Sequence, residues 1–265
     1  MNLAAAALGG VSLRSLRVWQ RNRDVFMRLW RAELVPPLIE PIFFILAIGL
    51  GLGAYVNLDG QQDYIQFLVP GMLAIFPMFA AVGECLWGAY FRMARQGTYQ
   101  AIISTPVSVE DLTGGEILWG ATRMVISTTF LLLIVAIFSP VYDLYRSPLI
   151  LLVPPLSLAA GIVFAATTLS YTAVAPSISS LNYFFTLFIT PTFWFGGAFF
   201  PPDKLPAALR VVAWFIPTTH IVNVYRGLVD GVPQWSQLGD LAWLAVVGLA
   251  FTNLAVVNMR RRLIK

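Results

Sequence analysis

The feature that most constrains this chain is a long uncharged run that stops at a double proline. Residues 181–200 carry no charge, and about 20 apolar residues cross a hydrocarbon core of about 30 Å. Pro201-Pro202 then removes two backbone donors in succession and ends the helix. Asp203 can cap a new helix, with Pro206 tolerated in its first turn. That second helix, residues 205–216, is about 18 Å long at 1.5 Å per residue, too short to cross. Leu205, Leu209, Val212 and Ile216 recur on it at helical spacing, and Pro217 closes it before a further short segment, residues 220–227. A full span followed by two half-length pieces reads as a hairpin, residues 201–227, that dips into the membrane without crossing. Such a hairpin either lines a gate or rests among headgroups, and the residues leave both open.

The rest of the chain supports the membrane setting. Only 11% of its 265 residues are charged, where a soluble domain has about 25%. Five further apolar runs, at 36–56, 64–87, 117–138, 149–169 and 241–257, make six expected spans in an all-α polytopic protein with one transmembrane domain over 1–265. Residues 1–10 lack a basic start, which argues against a cleaved signal peptide. Residues 11–35 form an expected amphipathic interfacial helix, with Arg14, Arg17, Arg21, Arg28 and Arg31 on one face and Leu16, Trp19, Phe26 and Trp30 opposite. A span follows directly, so those arginines suit anionic lipid and not nucleic acid. Arginine also orients the chain. Arg92, Arg95, Arg260, Arg261, Arg262 and the N-terminal group fall on one side, against Arg146, Lys204, Arg210 and Arg226 on the other. By the positive-inside rule both termini are cytoplasmic and the hairpin faces outward.

The totals also limit the chemistry. One cysteine excludes an internal disulfide, and one histidine argues against histidine metal sites and Ser-His-Asp triads. Neither lysine follows a glycine, so the chain has no P-loop; ATP-driven work needs another polypeptide, and no cofactor is expected here. The cytoplasmic segment 92–116 is broken at Thr105-Pro106, restarts with Ser108 and Asp111 as an approximate capping box, and pauses at Gly114-Gly115 before the third span. Its break-and-cap pattern points to a segment that docks a soluble partner, against an ordinary loop, and Tyr99, Glu110 and Asp111 are the residues expected to serve that docking. Glu84 and Arg123 fall at similar depth on neighbouring spans and are expected to pair, since charges inside a membrane are costly alone. Glu40 can snorkel. Phe193, Trp194, Phe195, Phe199 and Phe200 read either as lipid-facing packing or as the wall of a channel for an amphipathic substrate.

This outline resembles the ABC-2 type exporter permeases. The resemblance is carried by FWFGGAFFPPDKLPAALRVVAWFIPTTHIVNVYRGL, where Gly197, Phe199, Pro201, Leu205, Pro206, Pro217 and Arg226 match the family pattern and Gly196 stands where serine is common. The stretch TYQAIISTPVSVEDLTGGEILWGATR and the tail MRRRLIK resemble the nodulation-factor (NodJ-like) branch. The resemblance implies a non-catalytic permease subunit in a bacterial inner membrane, acting as a homodimer with two copies of a separate NodI-like ATPase. Its cargo would be a lipo-oligosaccharide or similar glycolipid, with hydrophobic drugs or polysaccharide as the alternative. It further implies that segment 92–116 receives the ATPase stroke and that the hairpin gates release, with Gly196, Gly197, Pro201, Pro206, Pro217 and Arg226 shaping it. An ion-coupled carrier or channel is the rival of another class, disfavoured by the poverty of intramembrane charge. A membrane enzyme is disfavoured by the lone histidine and the lack of clustered polar residues.

Overall fold

The computed structural model describes residues 10–55, 63–201 and 204–264, and every regular element among them is helical. In chain order they are α1 (Ser15–Phe44, then a π-helical turn Ile45–Leu52), α2 (Tyr64–Gly83, continued by π-helical turns to Arg95) and α3 (Thr98–Ile103). Next come α4 (Val109–Tyr142), α5 (Val153–Thr172, entered by a 3-10 turn Pro148–Leu152), α6 (Ile178–Phe184) and α7 (Thr190–Phe195). The chain ends with α8 (Ala207–Trp214), α9 (Pro217–Val229) and α10 (Ser236–Leu263). The acidic loop at 57–62 and the expected cap Asp203 lie outside the described residues.

Five helical stretches are long and apolar enough to cross a membrane: Ser15–Gly49, Tyr64–Arg95, Val109–Tyr142, Pro148–Thr172 and Ser236–Leu263. The chain is a multi-pass membrane protein. The expected fifth span at 181–200 is not among the five. It is built as α6, a π-helical turn Phe185–Ile189 and α7, and residues 196–200 leave the helix. The helix from 178 to 195 measures about 27 Å at 1.5 Å per residue, close to the thickness of a hydrocarbon core. The bent pair α8 and α9 would bring the number to six if counted as one span.

Helix α2 is the centre of the bundle: 83% of its most apolar stretch is buried inside the protein, against 20–50% for the other four. It packs on α4, α5 and α9, with α1 and α10 outside them. Helices without a hydrophobic drive between them need close backbone approach, and small residues supply it. A Cβ on Gly120 of α4 would sit 2.6 Å from Cys85 Sγ, and one on Gly161 of α5 would sit 2.7 Å from Ala121 Cα. The Thr172 hydroxyl donates to the Cys85 carbonyl at 2.9 Å across the same seam.

Two expected boundaries are corrected. The interfacial helix and first span are one helix, because α1 runs unbroken through Pro36-Pro37. The first half of α1 lies along α4, where Trp19 Nε1 donates to Thr122 Oγ1 at 2.9 Å and the Phe26 ring meets Trp119 at 5.6 Å. Its buried stripe is Ser15, Val18, Asn22 and Phe26, while Leu16 and Trp30 are exposed, so the face is rotated from the expected one. Gly114-Gly115 likewise does not interrupt α4. A Cβ at Gly115 would lie 2.6 Å from the Ser15 carbonyl oxygen, so the glycines admit α1.

Candidate functional site

A charged cluster lies where α1, α2 and α4 meet. The Arg92 fork reaches two carboxylates, with Nη1 2.7 Å from Glu84 and Nη2 2.6 Å from Glu116. Arg123 is 2.7 Å from Glu33 of α1 and 3.7 Å from Glu84, and its guanidinium sits 4.5 Å above the Phe26 ring. The expected Glu84–Arg123 pair is therefore the longest contact in a five-membered network. Glu116 is fully buried, so its charge depends on Arg92 for compensation. Three carboxylates meet two guanidiniums here, and the cluster carries no surplus positive charge.

Beside the cluster is a cavity of about 690 Å³ lined by Glu33, Glu40, Glu84, Arg92 and Arg123, and by Phe76, Phe79 and Ala80 of α2. A smaller one of about 300 Å³ continues along α1 past Phe26 and Trp119. From the charged end an aromatic column runs along α2 and the α6–α7 helix. Trp87 meets Phe185 at 5.3 Å, Phe185 meets Phe79 at 6.1 Å, and Phe79 meets Phe193 at 5.6 Å. Phe193 then touches Trp194 at 5.0 Å and Phe199 at 4.9 Å, and Phe199 reaches Phe44 of α1 at 5.3 Å. Phe193 and Phe199, left open as lipid-facing or channel-forming, belong to this internal column, whereas Trp194 is half exposed. The cavity is thus charged at one end and meets the aromatic column through Phe76 and Phe79.

The expected coupling residues are buried. Tyr99 is fully enclosed beside Arg92; burial pushes its phenol well up, and the Glu116 carboxylate adds to the rise. The Asp111 backbone N–H donates to Ser108 Oγ and its carboxylate receives the Ser108 N–H, a full capping box. Its Oδ1 also accepts the Ser12 N–H at 2.6 Å, tying the segment before α1 to the start of α4. Arg14 donates to the Pro106 carbonyl, and Glu110 is 3.6 Å from Arg260 near the C-terminus. These side chains hold the segment in shape, while Gln96, Gln100, Ser104 and Pro106 present its exposed surface.

The hairpin residues converge on the N-terminal turns of α2, at Tyr64, Phe67 and Gly71. Gly197 has φ +76°, a conformation that favours glycine, and its carbonyl accepts from Arg226 Nη2 at 2.6 Å. Arg226 also lies 4.1 Å over the Phe67 ring. The nearby Asp230 pairs with Arg146 at 3.1 Å. A Cβ on Gly196 would come within 2.6 Å of the Thr192 carbonyl oxygen and 2.7 Å of Thr218 Cβ, so the bare glycine lets the start of α9 pack against the end of α7. Pro201 follows the bends at residues 196–200, Pro206 precedes α8, and Pro217 opens α9 instead of merely closing the helix before it. Helices α8 and α9 meet at 84°.

Sequence reasoning missed Glu33, Arg92 and Glu116 as members of the cluster. The signal was the helical phase: α2 extends to Arg95, which places Arg92 eight residues, about two turns, beyond Glu84 on the same face. Hydropathy alone had ended that span at Trp87 and left Arg92 in the cytoplasmic loop.

The ABC-2 type transporter family model matches residues 16–229. The chain is similar to Nodulation protein J of Rhizobium leguminosarum bv. trifolii, 31% identical over 99% of this chain and 98% of that one. Nodulation protein J of Rhizobium meliloti (strain 1021) is 32% identical over 98% of each. Inner membrane transport permease YadH of Escherichia coli (strain K12) is 23% identical over 91% of each.

Proposed function

The chain belongs to the ABC-2 type transporter family, whose members are membrane subunits of transporters, and on that premise we propose that it is the permease of a bacterial exporter of lipo-oligosaccharides or similar glycolipids. The observation that carries this reading is the cavity joining an acid-rich polar end to an aromatic column. With three carboxylates against two guanidiniums, and Glu40 adding a fourth carboxylate at the wall, the polar end suits a neutral hydroxyl-rich head better than an anionic one. The aromatic rings suit both sugar faces and an acyl chain. Two copies would form the pathway across the inner membrane, with both termini cytoplasmic as the arginine bias requires.

Energy comes from a separate, NodI-like ATPase, since the chain has no Gly-Lys-Ser/Thr sequence to grip a nucleotide. In this reading the exposed edge of α3 meets the ATPase. Tyr99, Glu110 and Asp111 keep that edge rigid and join it to the cluster, the start of α1 and the C-terminal arginines. The outer hairpin gates release. The test is ATP-driven uptake of a fluorescent N-acylated chitooligosaccharide into inverted vesicles that hold the permease and its ATPase. Flux is expected only with both proteins present. Phe79→Ala should lower it by roughly fivefold or more, equivalent to about 1 kcal/mol at the limiting step. Undiminished flux in Phe79→Ala at matched protein levels would remove the cavity from the pathway.

A further inference from the structure

The one histidine of the chain is buried in the first turn of α9, at the elbow where the outer hairpin turns. Its Nε2 is 2.8 Å from the carbonyl oxygen of Trp214, the last residue of α8. Its Nδ1 is 2.6 Å from Asp240 Oδ1 on α10. Both neighbours are acceptors. A neutral imidazole donates from one nitrogen only and would turn a lone pair toward the other acceptor. Two donors, and so the imidazolium, satisfy the geometry. The Trp243 ring lies nearly parallel to the imidazole at 4.2 Å, an arrangement that favours a cation on the ring.

The surroundings single out this pairing. His220 and Asp240 share a cavity of about 600 Å³ with Arg226 and Asp230. Arg226 is held by the Gly197 carbonyl and Asp230 by Arg146, so Asp240 is the carboxylate in contact with the ring. From α8 the Trp214 ring also meets the imidazole edge-on at 5.7 Å, and the Thr219 hydroxyl donates to the Ala213 carbonyl at 2.7 Å. We propose that doubly protonated His220 is the positioning residue of the outer hairpin, one cation tying the end of α8 to α10 and setting the elbow between α8 and α9. The tie is complete while both nitrogens carry protons. It loses one of its two bonds as the pH rises and a proton leaves, so the outer face becomes sensitive to pH through this residue.

The tie itself is independent of cargo; its effect on export rests on the permease reading above. Because no other histidine is present, nitrogen-15 NMR of protein labelled at histidine and purified with a histidine-free tag reports this ring alone. Both nitrogens should be protonated in the native protein, and Asp240→Asn should shift the ring toward a neutral tautomer under the same conditions. A single neutral tautomer in the native protein from about pH 5.5 to 8 would overturn the proposal. The second arm uses inverted vesicles with a varied lumenal pH and the ATPase side held constant. Uptake should fall roughly threefold as the lumen goes from about pH 6.5 to 9, while His220→Asn should be low and flat. The same pH profile in both would overturn the positioning role. No uptake at any pH would instead defeat the permease reading, and the NMR result would still decide the tie.

Discussion

Replacing Arg92 by methionine tests the charged cluster most sharply. The Arg92 fork holds Glu84 at 2.7 Å and Glu116 at 2.6 Å, and Glu116 is fully buried while Arg92 is 14% exposed. Methionine fills the volume of the stem but leaves the Glu116 carboxylate with no countercharge. Removing one partner of a buried pair costs about 3–5 kcal/mol, most of it the desolvation of the charge left behind. Glu84 loses less, because Arg123 remains 3.7 Å away. Lysine at position 92 can meet one carboxylate but not both, lacking the planar fork, and should fall between the native protein and methionine. Removing both charges, with Arg92→Met and Glu116→Gln together, should restore stability to within about 1 kcal/mol of the native protein. The assay is reversible SDS unfolding of the purified full-length chain in mixed micelles, with the native protein, Arg92→Met, Glu116→Gln and the double variant completing a double-mutant cycle. If Arg92→Met unfolds within about 1 kcal/mol of the native protein, or the double variant is no better than the single one, the buried pair is not what holds this junction.

Two further outcomes are expected. Gly196→Leu must displace Thr218 or the Thr192 carbonyl, and Pro217→Ala frees the backbone where α9 begins, so both should cut export while membrane insertion and ATPase assembly persist; unchanged vesicle uptake at matched levels would return the hairpin to an interfacial anchor. Cysteines placed at Val232 and Gln96, both exposed, should react with impermeant reagent only from outside and only from the cytoplasm respectively, and the reverse pattern would overturn the orientation read from arginine bias.

Composition and hydropathy are enough to class this chain as a polytopic helical protein, and local signals mark several of its helix ends. The Ser108–Asp111 cap and the breaks at Thr105-Pro106 and Pro217 are local signals that reappear at their positions in the structure, whereas the uncharged run 181–200 is divided and Pro206 stands before α8 and not in its first turn. A cap or a proline acts on the backbone within one turn, so neighbouring residues are enough to read it. Only the tertiary structure decided which residues meet. It carried α1 through Pro36-Pro37 by laying Trp19 and Phe26 on α4, gave Arg92 and not Arg123 the fully buried Glu116, and seated Arg226 on the Gly197 carbonyl. It also brought His220 to Asp240, which the sequence had left as a lone histidine without chemistry. Such pairings depend on the rotation and depth of each helix against its neighbours. Those are set by close approach at small residues such as Gly115, Gly120 and Gly161, and hydropathy does not record which face of a helix they bring inward.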